Sequence, residues 1–249
     1  MTFHEFGKEN DKVLVMIHGA CMSWKNFKEN IRYLKDEFHV IAVAVPGHDL
    51  YRFDEFTTME NVAKRLEDWL LENELSDIDV LYGFSMGGGI AIRLLAYNKI
   101  HVKNVILDGG ITPKNYGVTY SKIKLWADTT FKKFEKKSRG LMSLVFPPDE
   151  YDEKQVDLMH GIIRCMSIES IRRLYSSMDN FHMPEQFPEM DTYFEYWYGS
   201  GEKMFRESDI SYIRSYIPDV HFRQIPNMDH GQYVMGFPKL FAKQIRRLV

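Results

Sequence analysis

Residues 78–95 read IDVLYGFSMGGGIAIRLL, and this stretch decides the fold. Ile78–Phe84 is a short apolar run of strand type. Ile90, Ala91, Leu94 and Leu95 then recur at helical spacing. Between the two, Gly83-Phe84-Ser85-Met86-Gly87 fits G-x-S-x-G. A serine on a sharp strand-to-helix turn needs small residues two positions to either side, so that the chain can turn without collision. The helix that follows points its N-terminus, with free N–H groups, at the serine. Gly88 and Gly89 extend the small-residue run and allow helix and strand to pack closely. A plain serine N-cap is the competing reading, but a cap does not call for glycine on both flanks.

Outward from this point the same alternation recurs. Val13–His18 (VLVMIH) is a strand-type run that ends at Gly19, and Trp24–Asp36 follows with a helical pattern. His39–Val45 is a second run, stopped by Pro46-Gly47, with Val62, Leu66, Trp69 and Leu70 at helical spacing behind it. Val102–Leu107 follows the Ile90–Leu95 stripe. Apolar strands separated by helices imply a mostly parallel, doubly wound sheet covered on both faces, hence the α/β class with right-handed crossovers. The alternation stops from about Thr112 to Asp191. Helical patterns fill this stretch: Tyr120, Ile123, Trp126, Thr130 and Phe134, then a second set over Val156–Met178. Strand patterns resume at Tyr193–Tyr198 and Val220–Ile225. An ordinary crossover needs little more than a dozen residues, so about 80 is an insertion. The expected organisation is a core of residues 1–111 and 192–249, with a helical cap of residues 112–191 inserted between two late strands. Such a cap would cover the C-terminal edge of the sheet, where open α/β sheets bind ligands.

Composition narrows the classes. The chain has 249 residues, a formal net charge of −3 and 45% hydrophobic residues, which suits an ordinary globular protein and gives no basic field for nucleic acid. Its 2 cysteines, Cys21 and Cys165, show no metal or disulfide spacing. MTFHEFGKENDK lacks the apolar core of a secretory signal, and no apolar run is long enough to span a membrane. A soluble, cytoplasmic protein is expected. Lys132, Lys133, Lys136, Lys137 and Arg139 read as the solvated basic face of one cap helix, and no basic cluster marks an anionic substrate.

GFSMG at 83–87, His18-Gly19-Ala20 after the first strong strand and Asp229-His230-Gly231 near the C-terminus together resemble the α/β-hydrolase superfamily. The likeness extends over essentially the whole chain. It implies the α/β-hydrolase fold and serine-nucleophile chemistry, and it does not specify a substrate. Ser85 is then the nucleophile. A hydroxyl needs a neighbouring base, and among the 9 histidines His230 occupies the expected loop after the last strand. The family makes His18 a structural support of the loop after the first strand. His48 sits in a loop at the same edge, while His160 and His182 fall in the insertion. The acid is expected after the strand that follows the cap. Glu202, in Tyr198-Gly199-Ser200-Gly201-Glu202, takes that place, where the family usually has Asp. Asp108 at the end of an earlier strand is its rival and Asp209 a weaker one, while Asp229 would shape the turn. The backbone N–H groups of Met86 and Ala20 are the expected oxyanion donors. Cys21 reads as a small buried residue.

The function so implied is a serine esterase acting on a small or medium carboxylic ester, thioester or amide through an acyl-enzyme. No cofactor or metal is implied, and the expected partner is a small-molecule acyl substrate. Met and aromatic residues of the insertion, among them Trp126, Phe131, Phe134, Met142, Phe146 and Met159, are candidates for cap core or an apolar cleft. The alternatives are a C–C bond hydrolase or iminopeptidase using the same three residues, or a non-catalytic ligand-binding protein on the same fold.

Overall fold

The computed structural model describes residues 1–50, 54–114 and 116–249. Seven strands form one sheet: β1 (Thr2–Phe6), β2 (Val13–Ile17), β3 (His39–Ala44), β4 (Asp77–Phe84), β5 (His101–Asp108), β6 (Tyr193–Gly199) and β7 (His221–Ile225). Their order is β1-β3-β2-β4-β5-β6-β7, all parallel except β1, which runs antiparallel to β3. The helices that precede the insertion are α1 (Lys28–Leu34), α2 (Met59–Glu72) and α3 (Met86–Leu95). Between β5 and β6 lie α4 (Val118–Glu135), α5 (Arg139–Val145), α6 (Glu153–Cys165) and α7 (Ile168–Asn180). The chain closes with α8 (Lys203–Tyr216), α9 (Gln232–Gly236) and α10 (Pro238–Arg247).

Successive strand side chains point to opposite faces, so each apolar strand feeds two cores. Val15, Ile17, Val43, Leu81 and Val105 pack on one face with Leu66 of α2 and Ile90 of α3. Leu14, Met16, Val40, Val80 and Ile106 pack on the other with Ile31 of α1 and Phe241 of α10. Each fully buried side chain of this size contributes about 1.5–3 kcal/mol. The chain runs outward from β2 to β3 and then returns to place β4 on the other side of β2. The switch point lies between β2 and β4, where Ile17 pairs with Gly83. The loops that follow these two strands diverge there and open a crevice.

Two expectations change. The segment Trp24–Asp36 is not one helix. Ser23 caps a short 3-10 turn over Trp24–Phe27, and α1 begins only at Lys28. Thr2–Phe6, to which the sequence pattern assigned no element, is the antiparallel edge strand. It is too short and too mixed to show periodicity, and it is held by ring contacts, Phe3 stacking on Trp69 with centroids 4.0 Å apart.

Candidate active site

The turn between β4 and α3 is as sharp as the glycine spacing demands. Ser85 has φ 52° and ψ −115°, a backbone conformation that costs a side-chain-bearing residue on the order of 1–3 kcal/mol. A Cβ at Gly87 would stand 2.2 Å from the Ile17 carbonyl oxygen, and one at Gly83 would stand 2.5 Å from that of Gly87. Helix and strands therefore touch backbone to backbone on both sides of the serine. The bend is tied down: Ser85 N–H donates to the Asp108 carbonyl at 2.8 Å, and the Ser85 carbonyl accepts from Ile111 N–H at 3.2 Å.

The loop after β7 brings His230 to the same place. Its ring lies 4.6 Å from that of Phe84, the residue preceding Ser85. Ser85 and His230 line one cavity of about 130 Å³. No hydrogen bond joins them among the described residues; in unliganded sites of this kind the contact commonly tightens only with substrate bound. His230 Nδ1–H donates to Glu202 Oε2 at 2.6 Å, which leaves Nε2 as the basic nitrogen. Glu202 is buried and fully engaged: its carboxylate also accepts from Gly199 N–H at 3.0 Å and from Arg206 Nε at 2.9 Å. Burial alone would raise its pKa. The hydrogen bond and charge of His230, the Gly199 amide and Arg206 outweigh burial and hold it down to about 2. Tyr151, from the segment between α5 and α6, donates its hydroxyl to the His230 carbonyl at 3.0 Å and fixes the loop from the other side.

The rival acids stand elsewhere. Asp108 accepts from Tyr82 Oη at 2.6 Å, with no His230 contact among the described residues. Its carboxyl is pushed up to about 7, first by burial, with the Tyr82 hydrogen bond opposing and the negative Glu202 adding. A buried acid of this kind favours its protonated form in the folded chain. Its contribution to stability is full below the ordinary value of 3.8 and declines as pH rises toward 7. Asp108→Asn keeps an acceptor for Tyr82 and removes that decline. Thermal melts should therefore show a gain in Tm over the parent that is larger at pH 8 than at pH 5; an equal difference at both would contradict the assignment. Asp209 is engaged by Thr112, Lys114 and Arg206. Asp229 shapes its turn, with its N–H donating to Gln232 Oε1 and its carbonyl accepting from Gln232 N–H.

The oxyanion candidates follow β2 and β4, the two strands that flank the switch point. Ala20, after β2, lines the cavity beside Ser85. Among the described residues, the amides of Ala20 and Met86 donate no hydrogen bond, so both remain available. His18 is a support: fully buried, it donates from Nδ1 to the Gly19 carbonyl at 2.9 Å and accepts from Val45 N–H at 3.1 Å. Burial, then the neighbouring His48, lowers its pKa to about 3, so it stays neutral. His48 is buried as well, with Nδ1 on the Pro46 carbonyl. His160 bonds the Glu135 carbonyl, and the His182 backbone N–H bonds Glu60, so neither histidine takes part in the site.

The cavity wall is mainly Met22, Met142, Met159, Met235 and Phe146. Cys21 belongs to it too, with a thiol that burial pushes up. Three aromatics of α4 do not: Trp126, Phe131 and Phe134 are exposed. Nor are the basic residues one solvated face. Helix α4 ends at Glu135, and Arg139 begins α5 and pairs with Asp157 at 2.8 Å. Lys136 Nζ donates to the Ile163 and Arg164 carbonyls at the end of α6, where a cation is favoured. Lys132 turns inward, pairs with buried Glu135 at 2.5 Å and lines the cavity with Tyr175. The sequence pattern read this cation as solvated, although Glu135 stands three residues on, at pairing distance on a helix. Arg206, at i+4 from Glu202, carried a similar unread signal.

The fold and the grouping of these residues define the class, an α/β protein with a serine-bearing strand–turn–helix at the sheet's switch point. A family profile described as alpha/beta hydrolase fold matches residues 12–150. The chain belongs to the α/β-hydrolase family. It is similar to an α/β-hydrolase family protein from Desulfitobacterium hafniense, at TM-score 0.80 and 20% identity over 99% of each chain. It is also similar to an esterase from Rhodococcus sp. (TM-score 0.77, 17% identity, 98% and 92% of the two chains). A marine microorganism esterase aligns at TM-score 0.72 and 20% identity, over 100% of this chain and 98% of that one. At these identities the likeness is one of fold. By sequence, the chain is 33% identical over 108 residues to a probable 1-acylglycerol-3-phosphate O-acyltransferase of Oryza sativa subsp. japonica. That match spans 41% of this chain and only 26% of the rice protein.

Proposed function

We propose that the chain is a serine hydrolase that cleaves small or medium carboxylic esters through an acyl-enzyme on Ser85. One observation carries the proposal: the strained Ser85 turn shares a cavity with an imidazole whose far nitrogen is held by an ionised, buried carboxylate. In the reaction, His230 Nε2 takes the Ser85 hydroxyl proton as Oγ attacks the ester carbonyl carbon. The Ala20 and Met86 amides receive the charge on the carbonyl oxygen. Collapse expels the alcohol, which takes the proton from His230. Water, deprotonated by the same nitrogen, then attacks the acyl-enzyme; the acyl–Oγ bond breaks, the acid is released, and His230 returns the proton to Ser85 Oγ. Glu202 keeps Nδ1 protonated and stabilises the imidazolium.

The apolar wall, with its adaptable methionines, favours short aliphatic acyl groups. Helices α4–α7 serve in this reading as a cap that excludes water, and the unpaired cysteines suit the cytoplasm. The test is a fluorophosphonate probe followed by p-nitrophenyl esters of increasing acyl length. Labelling at Ser85 with turnover of short esters supports the proposal. An unlabelled folded protein points to a ligand-binding role instead, and product analysis with added glycerol separates water from alcohol as the acyl acceptor.

A further inference from the structure

Helix α4 is built inside out. Its inward side carries ion pairs: Lys124 with Asp128 at 2.7 Å and Asp179 at 2.9 Å, and Lys132 with buried Glu135. Its outward side carries the apolar stripe, with Trp126 71%, Ile123 62%, Phe134 59% and Tyr120 56% exposed. A surface helix of a globular protein ordinarily shows the reverse, an apolar stripe toward the core and polar residues toward water. Leu144 and Val145 of α5 are exposed as well, and Val145 also lines the cavity that holds Ser85. An exposed apolar residue of the helix that follows α4 thus also lines the candidate site.

The exposed charges of α4 that lack an ion pair are all positive. Lys122, Lys133 and Lys137 are exposed beside the stripe, and none makes an ion pair among the described residues. The two acids of α4 do not offset them, since Asp128 is held by Lys124 and Glu135 is buried. This basic patch stands out on a chain whose formal net charge is −3. Apolar side chains flanked by lysines, with a tryptophan and a tyrosine among them, match a lipid headgroup boundary: the rings sit at the interface and the lysines meet anionic headgroups. A second copy placed face to face would set these lysines against one another. Among the described residues no helix is long and apolar enough to cross a membrane, so attachment would be peripheral.

We infer that the outward face of α4, continued by α5, is a docking surface for an anionic phospholipid bilayer, holding the mouth of the Ser85 cavity against the lipid. The docking is independent of turnover and is therefore tested on the full chain with and without Ser85→Ala. Co-sedimentation with phosphatidylglycerol–phosphatidylcholine vesicles is expected to retain both proteins. Pure phosphatidylcholine should bind about 100-fold more weakly, the effect of removing three lysine–headgroup attractions. Ile123→Glu with Trp126→Glu should abolish binding, and Lys122→Glu, Lys133→Glu and Lys137→Glu together should abolish the preference for anionic lipid. All these positions are exposed, and circular dichroism confirms that each variant is folded. No binding at millimolar anionic lipid would overturn the inference. So would binding that survives the Ile123/Trp126 pair, or a concentration-dependent dimer, without vesicle binding, that the same pair abolishes.

Discussion

Ser85→Ala should leave a folded protein with kcat reduced by about 10⁴–10⁶-fold and with no fluorophosphonate labelling. The size of the effect follows from what the oxygen does: it forms and breaks the acyl bond, and neither water nor the cavity replaces it. The fold should be unaffected. Alanine keeps the Cβ that the turn already accommodates, and the backbone bonds of residue 85 to Asp108 and Ile111 involve no side-chain atom. Intact-mass detection of the probe adduct, beside a thermal melt of the same sample, is the measurement. Labelling that persists in the variant would place the reactive group elsewhere, and Cys21, in the same cavity wall, would be the first residue to check.

Glu202→Gln should cost about 10⁴-fold in kcat, with KM little changed. Glutamine presents an amide N–H₂ or a neutral oxygen to Nδ1, so the imidazole loses both its fixed tautomer and the partner of its positive form. Asp108→Asn should remain within about tenfold of the parent, because Asp108 meets Tyr82 and not the imidazole. This pair of measurements decides the acid; a large loss in Asp108→Asn with little in Glu202→Gln would reverse the assignment. The same carboxylate carries a stability signature. Its pKa in the folded chain, about 2, lies below the ordinary 4.5, so its contribution is complete above 4.5 and disappears as pH falls toward 2. The Tm deficit of Glu202→Gln should accordingly shrink on acidification across that window.

The sheet was legible because its strands are near-continuous apolar runs that stop at turn-forming residues, as at Ile78–Phe84 before Ser85 and His39–Val45 before Pro46-Gly47. The strand-to-helix turn at Ser85 was legible because close backbone contact admits no side chain at positions 83 and 87. The insertion's helices were legible as helices, yet the orientation of α4 was not. Periodicity reports that Tyr120, Ile123, Trp126 and Phe134 share a face, and the usual habit of soluble helices then turns that face inward. Here it faces out, because Lys124 and Lys132 find acids on the protein side. Charge pairing across elements is a three-dimensional fact, so the inward lysine in the cavity was misread with its neighbours. The edge strand Thr2–Phe6 escaped for a related reason, since its partners are supplied by β3 and Trp69.

The φ of Ser85 has a consequence for anyone altering this chain. The rest of the domain must hold that residue where an ordinary side chain does not rest, and glycine would rest there comfortably. Ser85→Gly should melt higher, by roughly the 1 kcal/mol scale of such relief, and catalyse nothing. Heat tolerance and turnover therefore pull in opposite directions at a single position. Directed evolution screened on melting temperature alone would reward the loss of the hydroxyl, whereas gains sought in the outer helices leave it untouched.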